Sequence, residues 1–172
     1  MRLNEFLRDT QEMGRGIVVG QGDWQQQLEK NKNDYTFEFV QGPRFLDAYP
    51  LTLTHEQYVD KVNENAGGVL TSSERSELIG LFNFLTETQA RASVLRHVAE
   101  NEALKRNELN RAFVLMECYG YMRRNPDDPP DTNFRGWKFW LDKLNEFNGN
   151  YVSAEMVKAF ISSDEYRHRF GL

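Results

Sequence analysis

The chain contains 172 residues, of which 40% are hydrophobic and 13% aromatic, which is enough for one compact core or two small units that share an interface. Its 21 basic and 26 acidic residues are interspersed and give a formal net charge of -5, so the sequence lacks the concentrated positive field that nucleic-acid phosphates require. No apolar run approaches the roughly 20 residues that span a bilayer. We therefore expect neither nucleic-acid binding nor membrane insertion.

The first elements of the chain are predicted to be helices separated by breaks. Apolar positions follow helical spacing as far as Met13, and the Gly-rich segment GRGIVVGQG then begins at Gly14. This segment lacks the GK[ST] ending of a phosphate-binding loop, so nucleotide binding is not predicted. Asp23 is the expected N-cap of a second helix that ends near Asn33, and another helical stretch from Tyr35 is broken at Gly42-Pro43.

Hydroxyl side chains mark the helix starts in the middle of the chain. Thr54 is the predicted N-cap of one helix, Thr71 or Ser72 of the next, and Thr86 or Thr88 of a third. No segment alternates convincingly between apolar and polar residues with the period of a strand. The sequence therefore predicts an all-α fold.

A long apolar helix is predicted between Glu102 and Met122. Residues 112–116 within it are apolar on all sides, which predicts a helix that is covered on several sides. Cys118 is the only cysteine and cannot form an internal disulfide. We expect it to be a buried, unreactive thiol that packs as a small hydrophobic residue.

The segment from Asn125 to Phe170 has the clearest pattern in the chain. Prolines at positions 126, 129 and 130 predict a loop before Asp131, because proline lacks the amide donor and disfavours helix in the preceding residue. From Phe134 onward the apolar residues follow helical spacing, with Asp131 or Asn133 as the predicted N-cap. This helix is expected to bury both of its tryptophans.

Two further helices are predicted after it. Asn148, Gly149 and Asn150 tolerate positive φ and are expected to end the tryptophan helix. Ser153 is the predicted start of the next helix, and Ser163 is the predicted N-cap of a short final one.

Three pairs of segments resemble one another and predict an internal repeat. The pairs are 58–64 with 140–146, 94–104 with 156–166, and 39–45 with 160–166. Gly67 falls opposite Gly149 at the offset of the first pair, which predicts the same helix end in both copies. We therefore expect repeated helical hairpin units, 1–52, 53–106 and 107–172, packed into one multi-helix bundle, with an inserted helix in the middle unit.

The last unit carries a tyrosine-rich helix that ends in YMRRNPDD, then a G-W-x-F-W-L-x-K-L helix and a closing F-I-S-S-D-E-Y. Over Asn107 to Phe170 it resembles the bacterial domain-of-unknown-function family 4214, from which it departs by an insertion at 129–133, and the fold is similar to phycobilisome linker domains. The resemblance implies no catalytic residues, a structural or interaction role, and an extracellular or cell-surface parent protein. A start at Met1 without a signal peptide would then indicate an excised fragment.

A candidate calcium site is formed by Asp127, Asp128, Asp131 and Asn133, because calcium prefers several carboxylate and amide oxygens from one short loop. The spacing from Asp131 approaches the EF-hand pattern, but its fifth position is Arg135 and the following residues are predicted to be helical. Two interpretations stay open: a cation held by this loop, or a rigid loop that caps the helix.

Catalytic residues are not predicted anywhere in the chain. The three histidines lie at no metal-ligand spacing, and there is no G-x-S-x-G motif. The leading hypothesis is a non-enzymatic structural or protein-interaction module that assembles with copies of itself or with other domains of a bacterial surface, secreted or filamentous assembly. Exposed aromatic residues such as Phe139 would be the contacts. The alternative is a ligand-binding domain for calcium, a glycan or a pigment.

Overall fold

A computed structural model describes residues 1–171, and none of these residues forms a β-strand, which confirms the predicted all-α fold. The helices are α1 (Leu3–Met13), α2 (Trp24–Phe39), α3 (Pro43–Ala48), α4 (His55–Asn65), α5 (Ser72–Gly80), α6 (Glu87–Ala99), α7 (Glu102–Glu117), α8 (Arg135–Glu146), α9 (Met156–Ser162) and α10 (Asp164–His168). A 3-10 turn, Leu81–Asn83, follows α5, and a π-helical turn, Cys118–Met122, follows α7. Within residues 1–171, no helix combines the length and the apolar character needed to cross a membrane.

The helices fall into two compact units. The central unit is Arg8–Lys105, and the terminal unit consists of Met1–Leu7 together with the chain from Arg106 onward. The division after Lys105 lies beside the boundary that the sequence predicts after residue 106. The repeat of three hairpin units stays a prediction.

Three helices of the central unit begin with the same device, a threonine followed three residues later by glutamine or glutamate. In each, the threonine side chain accepts a hydrogen bond from the backbone N–H of the later residue, whose side chain accepts one from the threonine N–H. The pairs are Thr54 with Gln57, Thr71 with Glu74, and Thr86 with Gln89. These capping boxes satisfy N–H groups that a helix start leaves without partners, and they decide the start residues in favour of Thr71 and Thr86.

The predicted helix end near Asn33 is wrong, because α2 continues without a break to Phe39. The neighbouring Asn31 is buried, and its side-chain amide donates hydrogen bonds of 2.9 Å to the backbone carbonyls of Met13 and Arg15. An asparagine whose side chain is bonded elsewhere does not compete for the backbone of its own helix. The predicted break at Gly42-Pro43 is confirmed, since α3 begins at that proline.

The core of the central unit is mostly aliphatic but contains one arginine. Its buried apolar residues come from the C-cap of α2 and from α3 to α6: Val40, Phe45, Tyr58, Val59, Val62, Leu78, Ala92, Val94 and Val98. Arg91 on α6 lies among them with 1% of its surface exposed. Its Nη2 donates to the carbonyl of Pro50 at 3.0 Å, and its guanidinium lies 4.3 Å from the centre of the Tyr58 ring.

The buried charge of Arg91 is balanced by Glu87, whose Oε1 lies 3.3 Å from the arginine Nε. Nε and Nη1 nevertheless lack a well-directed hydrogen bond. Burying an incompletely bonded guanidinium is costly, so this part of the core depends on a carboxylate at its rim.

The core of the terminal unit is formed by α7, α8 and α9 with adjoining turns. Its buried members are Val114, Cys118, Leu141, Leu144, Ala154, Met156 and Phe160. Trp137 and Trp140 are only partly buried, packed against the outside of this cluster. Helix α9 begins at Met156 rather than at the predicted Ser153, because the side chain of Asn150 accepts the N–H groups of Ser153 and the residue before it and holds them in a turn.

The C-terminal ends of α4 and α8 were expected to be equivalent, but the hydrogen bond that closes each helix is shifted by one residue between them. In α8, the N–H of Gly149 donates to the carbonyl of Leu144 at 2.8 Å. In α4, the corresponding bond of 2.8 Å runs from Gly68, not from Gly67, to Asn63. Both are the 6→1 bond that ends a helix beside a residue with positive φ.

We expect the Glu87→Gln and Arg91→Met substitutions to have different consequences. Glu87→Gln leaves the buried guanidinium without its counter-charge and should cost about 1–3 kcal/mol of unfolding free energy. Arg91→Met removes the charge itself and keeps an unbranched chain, so it should be neutral or stabilising. Urea denaturation measures both, with Asp34→Asn, at an exposed pair with Lys30 on α2, as the control. Equal losses for the two variants would contradict this account.

Candidate functional site

The predicted calcium ligands lie in the loop between the π-helical turn and α8, and each of them has a hydrogen-bonding partner within the protein. The Asp127 carboxylate accepts a hydrogen bond of 2.6 Å from Nη1 of Arg2. The Asp128 carboxylate accepts from the backbone N–H of Asn125 at 2.9 Å and from its side-chain amide at 2.7 Å. The backbone hydrogen bond from Asn125 is the main cause that lowers the pKa of Asp128.

The other two predicted ligands also have protein partners. The Asp131 carboxylate accepts a hydrogen bond of 2.9 Å from Nη2 of Arg124. The side-chain oxygen of Asn133 accepts from the N–H of Arg135 at 2.9 Å. The N-cap position of α8 is Phe134, so the prediction of Asp131 or Asn133 at that position is wrong. Asp131 is unavailable for capping because its carboxylate neutralises Arg124.

All five N–H donors of the Arg124 guanidinium have acceptors. Nε and Nη2 donate to the two carboxylate oxygens of Glu165, on α10, at 2.5 and 3.1 Å. Nη2 also donates to Asp131, and Nη1 donates to the carbonyls of Asn125 and Asp128 at 3.1 and 3.2 Å. The bonds to Glu165 are the main cause that raises the pKa of Arg124. The guanidinium therefore connects the loop to α10, and its positive charge compensates the carboxylates of Asp131 and Glu165.

No group of three or more His, Cys, Asp or Glu side chains suited to a metal ion occurs among residues 1–171. A cation at the predicted loop site would have to replace arginine as the partner of Asp127 and Asp131, and amide groups as the partner of Asp128. The arrangement is that of a structural loop, and calcium binding stays a prediction.

The cysteine and two of the histidines, His55 and His97, are engaged in structural contacts. Cys118 is buried, and burial raises the pKa of its thiol to about 11, which disfavours the reactive thiolate. The predicted burial of Cys118 is confirmed. His55 Nε2 lies 3.3 Å from the Glu87 carboxylate, and His97 Nε2 lies 3.7 Å from that of Glu74. That the protein is not an enzyme stays a prediction.

An apolar stripe runs along α7, and we call Leu109, Ala112, Phe113 and Met116 the α7 stripe. Phe113 is half-buried at the edge of the core, and the other three are exposed. Their spacing of i, i+3, i+4 and i+7 places all four on one face of the helix. Leu109 is 65% exposed and Met116 is 45% exposed. The prediction that residues 112–116 are covered on several sides is wrong for Ala112 and Met116, which are exposed. Val114 is buried, and the half-buried Phe113 packs against the edge of the core.

Other exposed apolar groups extend or resemble this surface. The ring of Tyr151 stacks on Phe113 with 5.2 Å between the ring centres, and the adjacent Val152 is exposed. On α8, Phe139 is 59% exposed, as predicted, because Leu141 and Leu144 occupy the core face of that helix. The terminal unit thus presents apolar and aromatic side chains that its own core does not bury.

A groove with a volume of about 570 Å³ lies between α2 and α6 of the central unit. Phe37 and Leu85 are its exposed apolar lining, and Ala92 and Ser93 contribute from α6. Its polar lining includes Asp34, Arg96 and Glu100. We call this feature the α2/α6 groove.

The charged side of the α2/α6 groove is held together by Arg96. The guanidinium of Arg96 donates hydrogen bonds to Glu29 and Asn33, and to Glu100 at 3.3 Å. Lys32 also donates to Glu29 and Glu100, at 3.0 and 3.1 Å. Lys32 and Arg96 are therefore both ion-paired with acidic residues of the same unit.

A scan against protein-family models, a search of curated proteins and a search of solved structures gave no match to this chain. The resemblance to family 4214 therefore stays an expectation from the sequence.

The Arg124→Gln substitution should destabilise the terminal unit by about 2–4 kcal/mol, because it leaves two carboxylates and two carbonyls without their shared donor. The matched control is Arg111→Gln, which removes an exposed pair with Glu108 on α7 and should cost at most about 1 kcal/mol. Chemical denaturation of both variants measures the difference, and equal losses would show that Arg124 does not fasten the loop.

Calcium should leave the Tm of the protein unchanged at millimolar concentration, since each predicted ligand already has a protein partner. A ligand that binds only the native state raises Tm as its concentration increases. The check is thermal unfolding with calcium and, as a control for ionic strength, with an equivalent concentration of sodium chloride. A Tm that climbs with calcium alone would establish the predicted cation site.

Proposed function

We propose that this protein is a non-catalytic interaction module that assembles with copies of itself. The observation that carries the proposal is the α7 stripe, in which Leu109 and Met116 are exposed on the same helix face as Phe113. A contiguous apolar face on a helix is a common form of protein interface, whereas single exposed apolar residues are ordinary.

Self-assembly would give this face the burial that the chain itself does not supply. Removing apolar surface from water contributes about 25 cal/mol per Å², so a helix face of this kind is a substantial source of binding free energy. Aromatic and long apolar side chains near the centre of an interface usually dominate that energy. Phe113, whose ring stacks on that of Tyr151, lies near the centre of the stripe.

The alternative function, binding of calcium, a glycan or a pigment, has less support. Trp137 and Trp140 pack against the core of the terminal unit and do not form an open stacking platform. The carboxylates of Asp127 and Asp131 are paired with arginines. Placement in a bacterial surface, secreted or filamentous assembly, next to other domains of a larger protein, rests on the sequence resemblance alone.

The experiment is sedimentation velocity over a range of protein concentrations for the wild type, Leu109→Glu and Leu51→Glu. Leu51 is a matched control, since it is 64% exposed, close to the 65% of Leu109, and lies in the connection between α3 and α4. We expect the wild type and Leu51→Glu to associate as concentration rises, and Leu109→Glu to associate at least about tenfold more weakly.

A wild-type protein that stays monomeric at high concentration would contradict self-assembly. Equal association of Leu109→Glu and the wild type would show that α7 is not the contact.

A further inference from the structure

We propose that the carboxyl group of Glu117 is a pH-sensitive switch in the terminal unit: when it loses its proton, the π-helical turn that follows it loosens and releases the segments anchored to that turn. The inference concerns a regulated opening within this unit. It does not depend on the proposed self-assembly through α7.

Glu117 is the last residue of α7, and only 8% of its surface is exposed. Its Oε2 is buried and has no hydrogen-bond donor within residues 1–171. An ionised carboxylate is costly to bury without a partner, so such a group avoids the cost by staying protonated. Burial accordingly raises the pKa of Glu117, and charged neighbours within residues 1–171 make no contribution to this shift.

The titratable groups of the turn itself are neutral at physiological pH. Burial raises the pKa of the Cys118 thiol to about 11 and also raises the pKa of the Tyr119 and Tyr121 hydroxyls. The charge of Glu117 contributes to the raised pKa of Cys118 and of Tyr121, which places this carboxylate close to both. None of these three groups can supply a positive charge to an ionised Glu117.

The charged groups of the neighbouring elements are bonded to other partners or are exposed. From α10, Tyr166 faces the turn, while Arg167 and His168 are exposed. In the N-terminal segment, Glu5 accepts a hydrogen bond of 2.7 Å from the backbone N–H of Arg2. The cations are engaged as follows: Arg2 with Asp127, Arg124 with Glu165 and Asp131, Arg169 with the carbonyl of Tyr121, Lys158 of α9 with Glu155, Lys138 of α8 with Asp142, and Lys143 of α8 with the ring of Trp140.

The turn Cys118–Met122 anchors both the N-terminal segment and α10. The Oη of Tyr119 donates a hydrogen bond of 2.8 Å to the backbone carbonyl of Met1. The ring of Tyr121 lies 5.8 Å from that of Tyr166 on α10, measured between the ring centres. Loosening of this turn would therefore free two segments that are far apart in the sequence.

The backbone of the turn makes it a place where the helix can open. π-helical turns are rare and are frequently found at functional sites. This one ends at Arg123, whose φ of 58° is a left-handed conformation that is costly for a residue other than glycine. The order of the turn thus depends on the packing of its side chains, and a charge on Glu117 opposes that packing.

The direction of the switch follows from the raised pKa. The ordered turn binds the proton of Glu117 more tightly than the open turn, in which the carboxyl group is in water. Its stabilising effect is therefore present at low pH and is lost as the pH rises through the raised pKa. Asp128 and Glu155 have lowered pKa values, so their contributions change at lower pH and with the opposite sign.

Hydrogen exchange of the backbone amides, measured from about pH 5 to about pH 8, tests the switch in the wild type, Glu117→Gln and Glu108→Gln. Glu108→Gln is the matched control, because it makes the same charge change at an exposed position of α7. Comparing the proteins at the same pH cancels the intrinsic effect of pH on exchange.

At the upper end of this range, we expect residues 1–7 and 118–122 to exchange at least about fivefold more slowly in Glu117→Gln than in the wild type. The difference should shrink as the pH falls, and Glu108→Gln should behave like the wild type throughout.

Equal exchange of Glu117→Gln and the wild type at every pH would overturn the switch. So would a slowing that extends equally over α8 and α9, because it would show a general stabilisation of the unit in place of a local opening. If Glu117→Gln does not fold, Glu117→Met removes the charge with an apolar side chain of similar length and carries the same expectation.

Discussion

The terminal unit depends on the guanidinium of Arg124, which binds two carboxylates and two carbonyls at once. The loop after it is rich in aspartate and proline, and an uncompensated cluster of carboxylates would repel itself. Arginine suits this position because its planar fork offers five fixed donors and matches a carboxylate with two parallel bonds. Through Glu165 it also binds α10, so one side chain fixes the positions of both the loop and α10. The acidic loop has the composition of a cation site, but its carboxylates form ion pairs with Arg2 and Arg124.

The surfaces that bear on function are those that the two cores leave uncovered. In α7, Val114 faces the core of the terminal unit, whereas Leu109 and Met116 on the other side of the helix are exposed. Val40, which follows the last residue of α2, enters the core of the central unit, while Phe37 of α2 lines the groove beside α6. An apolar face left in water favours association, so α7 connects the packing of its unit to the proposed assembly of copies.

Much of the local structure could be predicted because its causes are close together in the sequence. A threonine at the N-cap and a glutamine or glutamate three residues later form a closed pair of hydrogen bonds, so Thr54, Thr71 and Thr86 mark helix starts wherever the chain places them. The break at Gly42-Pro43 follows from the missing amide donor of proline. The absence of strand periodicity was sufficient to predict the all-α class, which residues 1–171 confirm.

What the sequence by itself determined, then, is where helices start and which residues are apolar, since these depend on neighbours within a few positions. Tertiary structure alone decided which apolar face is covered, as the exposed side of α7 shows, because a run that is apolar on all sides does not indicate the direction of its core. It also decided the partners of the loop carboxylates, since Asp127 meets Arg2 across 125 positions of sequence. The continuation of α2 past Asn33 has the same origin, because Asn31 is bonded to carbonyls that precede that helix. Contacts of this range are set by packing, and packing depends on the whole chain.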